Sequence, residues 1–148
     1  MTAQSYTTTI TVEQDPEVVF DAVNHPDEWW SESIEGRGDH VGAEFVFDTP
    51  DQHYWKFRVT ELDRPRRVVW RVLEDSRTEF VHDVTEWNGT EVRFDITEDA
   101  GQTQVRFTHS GLVPEFECYE ACSTGWAQYI RRSLHDYITA GRGQPGAY

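Results

Sequence analysis

Few residues in this chain are suited to chemistry. The six histidines are His25, His40, His53, His82, His109 and His135. None stands at metal-ligand spacing from another, so no metal ligand is expected. Cys118 and Cys122 lie at i, i+4, without the paired Cys/His knuckles of a structural zinc site. They read as two small, half-apolar residues on a helix, with a redox or metal role as the alternative. The sequence holds no GxSxG, HExxH, Walker loop or GxGxxG, which leaves no recognised nucleophile, metalloprotease or nucleotide site. Thr108-His109-Ser110 is the local group with acid–base potential. By alternation His109 shares the inward face with Val105 and Phe107, where a ring could donate to a ligand carbonyl or exchange a proton near neutral pH. The plainer alternative is a strand-end histidine whose ring bonds a backbone carbonyl.

The second resource is aromatic surface, with 6 Trp, 6 Tyr and 8 Phe. Inward-facing Trp55 and Trp70, with Trp126, form either a core or a platform for a flat apolar ligand. Trp29 and Trp30 are adjacent. Two neighbours on one turn of helix are not expected to face inward together, which puts one of them at a cavity rim.

The elements that must position these residues follow from periodicity. Thr8 to Glu13 alternates as a half-buried strand. In Asp15-Pro16-Glu17, Asp15 can cap, Pro16 fits the first helical position and Glu17 suits the positive end of the dipole. Val18, Val19, Ala22 and Val23 supply that helix's apolar face, and Asn24-His25-Pro26 breaks it. Asp27 to Trp30 makes a second short turn of helix, and Glu35 to Gly42 reads as a loop. Alternation then marks strands through Phe45/Phe47, Trp55/Phe57/Val59, Val68/Trp70/Val72, Val92/Phe94/Ile96 and Val105/Phe107/His109. Asp75 to Asp83 has no clear pattern. Glu117 to Ala140 reads as one long helix with Tyr119, Cys122, Trp126, Ile130, Leu134 and Tyr137 on its apolar face. Gly141 stops it, and an interior Gly125 suggests close packing there. Residues 1–142 form one domain, and 143–148 a loose tail.

The expected fold is α+β: a curved antiparallel sheet of about six to seven strands wrapped around a long C-terminal helix, with two short N-terminal helices. Such a sheet has one apolar face, and only the long helix can cover it. This arrangement tends to enclose a cavity. The order of pieces resembles the START-like, helix-grip (SRPBCC) superfamily and, within it, the AHSA1 family, the activator of Hsp90 ATPase homologues. The resemblance is carried by Ile10-Thr11-Val12 with Asp15 to Phe20, Pro26 to Trp30, Glu86 to Phe94, Phe107 to Leu112, Glu117 to Cys122, and Gly125-Trp126. It spans nearly the whole chain. It implies an enclosed ligand cavity and relatives among lipid carriers, hormone receptors, polyketide cyclases and an Hsp90-binding domain.

The expected function is binding of a small hydrophobic or amphipathic molecule, lipid-, polyketide- or flavonoid-like, between sheet and helix, without catalysis or cofactor. The expected lining is Trp30, Phe45, Phe47, Trp55, Phe57, Trp70, Phe94, Phe107, His109, Tyr119, Cys122, Trp126 and Ile130, with His109 and Tyr119 orienting the ligand. The alternatives are a cyclase- or aromatase-like enzyme using His109 or a cavity tyrosine, and a module that binds a chaperone or regulatory protein.

Charge narrows the partners. With 27 acidic and 13 basic residues the net charge is −14, which disfavours nucleic acid and anionic membranes. No apolar run of membrane-spanning length occurs, and the first residues carry no secretory pattern, so a cytoplasmic location is expected. Lys56 is the single lysine; few lysines among many carboxylates suit a salt-rich cytoplasm and, equally, a GC-rich genome. No oligomeric state follows from the sequence.

Overall fold

The architecture below is that of a computed structural model and covers residues 5–147. Alternating strands with one dry face form one antiparallel sheet: β1 (Tyr6–Val12), β2 (Ile34–Gly36), β3 (Glu44–Thr49), β4 (His53–Asp63), β5 (Arg67–Val72), β6 (Arg77–Thr78), β7 (Glu91–Asp99) and β8 (Gln102–Ser110). The spatial order is β1-β8-β7-β5-β4-β3-β2, with β6 paired to β4. The two strands beyond the longer set expected are β2 and β6. At 3 and 2 residues they are too short to show alternation, and β2 occupies the start of the expected loop.

Register brings the large residues together. Phe47 faces Trp55 and Phe45 faces Phe57 across β3 and β4, while Phe94 faces Phe107 across β7 and β8. A bulge between Val59 and Glu61 shifts the β4–β5 register and changes the side-chain parity beyond it. Leu62 accordingly packs against the core. The β7–β8 hairpin closes through Ala100 (φ 53) and Gly101 (φ 80), the two left-handed residues of a primed turn.

The helices cover the apolar face. In α1 (Pro16–Val23) Pro16 opens the first turn, but Asp15 makes no side-chain cap. Its carbonyl accepts from the Val19 N–H instead (3.1 Å). α2 (Pro26–Trp29) follows. The C-terminal helix is continuous over 22 residues but not uniform: α3 (Tyr119–Gln128), a π-helical stretch Tyr129–Leu134, and α4 (His135–Ala140). It starts later than Glu117 because the Glu86 carboxylate takes the Glu117 and Cys118 N–H groups at 2.7 and 3.3 Å. The wider π turn allows Tyr129, Ile130, Ser133 and Leu134 all to be buried. Gly141 ends the helix at φ 78.

Residues 143–146, within the stretch expected to be loose, contact the body of the domain. Ser133 Oγ donates to the Trp29 carbonyl (2.6 Å) and accepts from the Gln144 N–H (2.7 Å). Gly146 N–H donates to the Trp30 carbonyl (2.9 Å). Gly143 permits the approach, since a Cβ there would meet the Glu28 carbonyl at 2.7 Å.

Candidate functional site

A hollow of about 190 Å³ opens between α3, the start of β4 and the segment 79–90. Its walls are Trp30, Phe47, His53, Trp55, Phe80, Trp87, Ala121, Cys122, Gly125, Trp126 and Tyr129. Strand parity places His53 and Trp55 on the inward face of β4, and pairing sets Phe47 opposite Trp55. On the helix side, Ala121/Cys122, Gly125/Trp126 and Tyr129 recur at helical spacing on one face. Gly125 was expected to permit close packing; instead a Cβ built there meets nothing within 4 Å, because the residue borders the hollow.

Trp87 comes from the irregular segment and is held from several sides. Its indole N–H donates to Cys118 Sγ (3.4 Å), and its carbonyl accepts from the Thr90 hydroxyl (2.6 Å). The segment is pinned to the start of α3 by Glu86, and by Glu117 Oε1, which accepts from the His82 N–H at 3.1 Å. The aromatic planes run nearly parallel. His53 stacks on Trp55 at 3.6 Å and 12°, Trp55 on Trp87 at 3.7 Å and 5°, and Trp87 faces Trp126 at 6.2 Å and 16°. Trp55 is further fixed by its indole bond to the Thr78 hydroxyl (2.9 Å), which gives the two-residue β6 its part in the site.

His109 stands behind this wall. It is fully buried, and its partners are side chains, not a backbone carbonyl. An indole N–H can only donate, so the 3.0 Å contact from Trp126 makes Nδ1 the bare nitrogen. Nε2 therefore carries the hydrogen and donates to Thr90 Oγ1 (2.8 Å). Burial pushes the His109 pKa down to about 3. Both nitrogens are satisfied, and the ring braces Trp126 directly and Trp87 through Thr90.

His53 differs. Its Nε2 is buried and has no hydrogen-bond partner in the protein, and burial lowers its pKa to about 4. Cys118 and Cys122 are free and buried. The hydrogen bond between their thiols and the surrounding burial push the Cys122 thiol up, so it stays protonated. Among the described residues no three His, Cys, Asp or Glu side chains gather into a metal-binding group.

Of the expected lining residues, Trp30, Phe47, Trp55, Cys122 and Trp126 meet at the hollow. Phe45, Phe57, Trp70, Phe94, Phe107 and Ile130 are fully buried in the core instead. Tyr119 packs half-buried against the core at the first turn of α3. Trp29 and Trp30 are both buried; Trp30 borders the hollow and Trp29 does not. The helix ends at Trp29, so helical spacing does not separate the pair. Trp29 packs edge-on to Phe94 (6.0 Å), and Trp30 lies against Trp126 (4.6 Å). His53, Phe80, Trp87, Ala121, Gly125 and Tyr129 were not anticipated as lining. His53 was within reach of β4 parity, whereas Phe80 sits in the patternless stretch Asp75 to Asp83 and Trp87 lies before the strand that begins at Glu91.

A larger hollow, about 430 Å³, lies among α1, α2, residues 36–39 and the end of β4. Its walls include Asp21, Asp27, Arg37, Asp39 and Arg64, with Arg64 paired to Glu17 and Asp21. It is a charged, solvated cleft. The smaller hollow carries no charged side chain among its lining residues.

An open antiparallel sheet gripping one long C-terminal helix defines the helix-grip class. Residues 13–139 match the family described as Activator of Hsp90 ATPase homolog 1-like protein, and the chain belongs to that AHSA1 family. Among solved structures it is similar to the Aha1 dimer of Colwellia psychrerythraea, at 28% identity and a TM-score of 0.75, over 94% of this chain and 98% of that one. An HSP90 activator from Plasmodium falciparum shares the fold at 19% identity and TM-score 0.66, over 93% and 96% of the two chains. CalU16 from Micromonospora echinospora shares it at 16% identity and TM-score 0.62, over 94% and 78%. No curated protein matches the sequence.

Proposed function

We propose that this protein holds one small apolar or amphipathic molecule in the aromatic slot beside α3, without catalysing a reaction on it. The carrying observation is an uncharged hollow walled by aromatic rings on a rigid sheet and helix. Burying roughly 150 Å² of ligand at about 25 cal/mol per Å² supplies about 4 kcal/mol before association costs. Apolar contact alone therefore gives weak binding, and tighter binding needs a polar contact as well. His109 offers no group for acid–base work in the slot, since both its nitrogens are engaged. The test is native mass spectrometry of protein purified from its own host, beside a Gly125→Phe variant. A co-purifying small molecule that disappears in the variant supports the reading. Equal retention by both proteins removes the slot as its site.

A second reading, a module for an Hsp90-type chaperone, draws on the 28% identity to the Colwellia Aha1 protein. Phe80, 42% exposed at the slot's mouth, would be part of such a contact. Stimulation of a bacterial Hsp90 ATPase by this protein, lost in Phe80→Ser, supports it; no stimulation counts against it.

A further inference from the structure

Resting on the slot as the binding site, we infer that its occupant is a neutral single-ring molecule with one hydrogen-bond acceptor, a carbonyl or ether oxygen, that takes the indole N–H of Trp30.

Size follows from volume. A dry apolar cavity of about 150 Å³ takes up benzene. At about 190 Å³, the slot holds one six-membered ring with a small substituent, and a second fused ring projects beyond it. Neutrality follows from the walls. No lysine, arginine or carboxylate lines the slot, and His53 is uncharged near pH 7 because burial lowers its pKa to about 4. A charged occupant would give up its hydration without meeting a counter-charge.

The acceptor follows from the indoles. Trp30, Trp55, Trp87 and Trp126 all wall the slot. Three of them spend their N–H on the protein: Trp55 on the Thr78 hydroxyl (2.9 Å), Trp87 on Cys118 Sγ (3.4 Å) and Trp126 on His109 Nδ1 (3.0 Å). Trp30 does not. Its Nε1 makes no hydrogen bond to a described residue, yet unlike the Trp70 nitrogen it is not sealed in the interior. Trp30 as a whole is only 4% exposed, and the open space it borders is the slot. The surface left to its N–H therefore faces the occupant. The ring is fixed edge-on to Phe47 at 4.9 Å and against Trp126 at 4.6 Å, so the donor does not turn away. An indole N–H can only donate. A pure hydrocarbon in the slot would cover it and leave it unpaired, which is unfavourable, whereas an acceptor oxygen completes it. His53 and Trp87 already lie on Trp55 at 3.6 and 3.7 Å, so this donor, and not stacking on Trp55, ranks the occupants.

The test is NMR titration of the nitrogen-labelled full chain at pH 7.5, followed at its six indole N–H signals, with the Trp30 signal identified by its loss in Trp30→Phe. Acetophenone, isopropylbenzene and benzoate share nearly one size and shape, and differ in carrying a neutral acceptor, no acceptor and a charge. A fourth probe, 2-acetylnaphthalene, adds one ring. Acetophenone should bind tightest and move the Trp30 N–H proton downfield. The other three should bind roughly 5-fold more weakly or worse, the scale of one net hydrogen bond, and Gly125→Phe should bind none of the four. Isopropylbenzene binding as tightly as acetophenone, lost in Gly125→Phe, overturns the acceptor inference and leaves the slot reading intact. Acetophenone binding that leaves the Trp30 signal unmoved does the same. Equal or tighter binding of benzoate or 2-acetylnaphthalene overturns the neutral, single-ring class. Acetophenone binding that survives Gly125→Phe overturns both readings. Failure of all four probes to bind overturns this inference, and the native mass measurement then judges the slot alone. Because the probe comparison is made on the unaltered protein, the inference stays testable even if a variant misfolds.

Discussion

Burial, complete at His109 and partial at His53, links this molecule's stability to pH. His109 and His53 have folded-state pKa values lowered to about 3 and about 4 by burial, while an unfolded histidine titrates near its ordinary 6.5. Between those values the unfolded chain binds protons that the folded chain does not, so stability rises with pH across that window. The contribution is complete above about pH 6.5 and is lost as pH falls toward the folded values. Urea unfolding at intervals from pH 7 to pH 5 should show a slope approaching about 1.4 kcal/mol per pH unit for each histidine. A flat profile would mean that these rings reach solvent. Trp126→Phe keeps the ring but leaves His109 Nδ1 without its donor. The expected loss is about 1–3 kcal/mol, the penalty for an unsatisfied buried nitrogen, read as a lower denaturant midpoint at unchanged slope.

At the scale of elements, two positions offer stabilising changes. Gly125 is interior to α3 with open space at its Cβ position. Gly125→Ala should raise stability by about 1 kcal/mol through helix propensity, visible as a higher thermal midpoint with the slot still open. Ala100 holds φ 53 in the β7–β8 turn, where a side chain other than Asn, Asp or Gly is strained. Ala100→Asn should gain up to about 1 kcal/mol, and a loss would mean that the turn is not of the primed type. The long strands and both ends of the C-terminal helix were legible within a few residues, because alternation and Gly141 are local signals. The π segment was not: its extra residue per turn depends on what Tyr129 and Ser133 find in the core. Half the slot was equally hidden. Trp30, Phe47, Trp55, Cys122 and Trp126 could be read from faces, but Trp87 is placed by the Cys118 thiol and the Thr90 hydroxyl, contacts far apart in sequence. The same parity that gave Trp55 also put Phe57 and Trp70 on the inner face, without showing which inner residues border space and which are packed solid.

For the whole molecule, the −14 charge is a surface property. Arg58 pairs with Glu44 at 2.6 Å, Arg67 with Asp95 at 2.8 Å and Arg64 with Glu17 at 2.9 Å, each solvated and open to screening by salt. The remaining carboxylates repel one another at low ionic strength. Added potassium chloride should therefore raise the thermal midpoint, most steeply below about 0.15 M, where the screening length is longer than about 8 Å. A midpoint that falls with salt would show that the ion pairs outweigh the repulsion. Among the described residues no helix is long and apolar enough to cross a membrane.

The tryptophans have an optical consequence. All six are buried, and ring-to-ring distances of 3.7 to 6.5 Å join Trp29, Trp30, Trp55, Trp70, Trp87 and Trp126 into one connected set. At such separations the excited states of indoles mix, and excitation migrates faster than it is emitted. The protein should therefore luminesce as a single antenna, and the near-parallel Trp55–Trp87 pair should contribute a strong exciton feature to its circular dichroism. A molecule entering the slot would dim the whole antenna at once. Emission thus reports occupancy sensitively but never identifies which ring was touched.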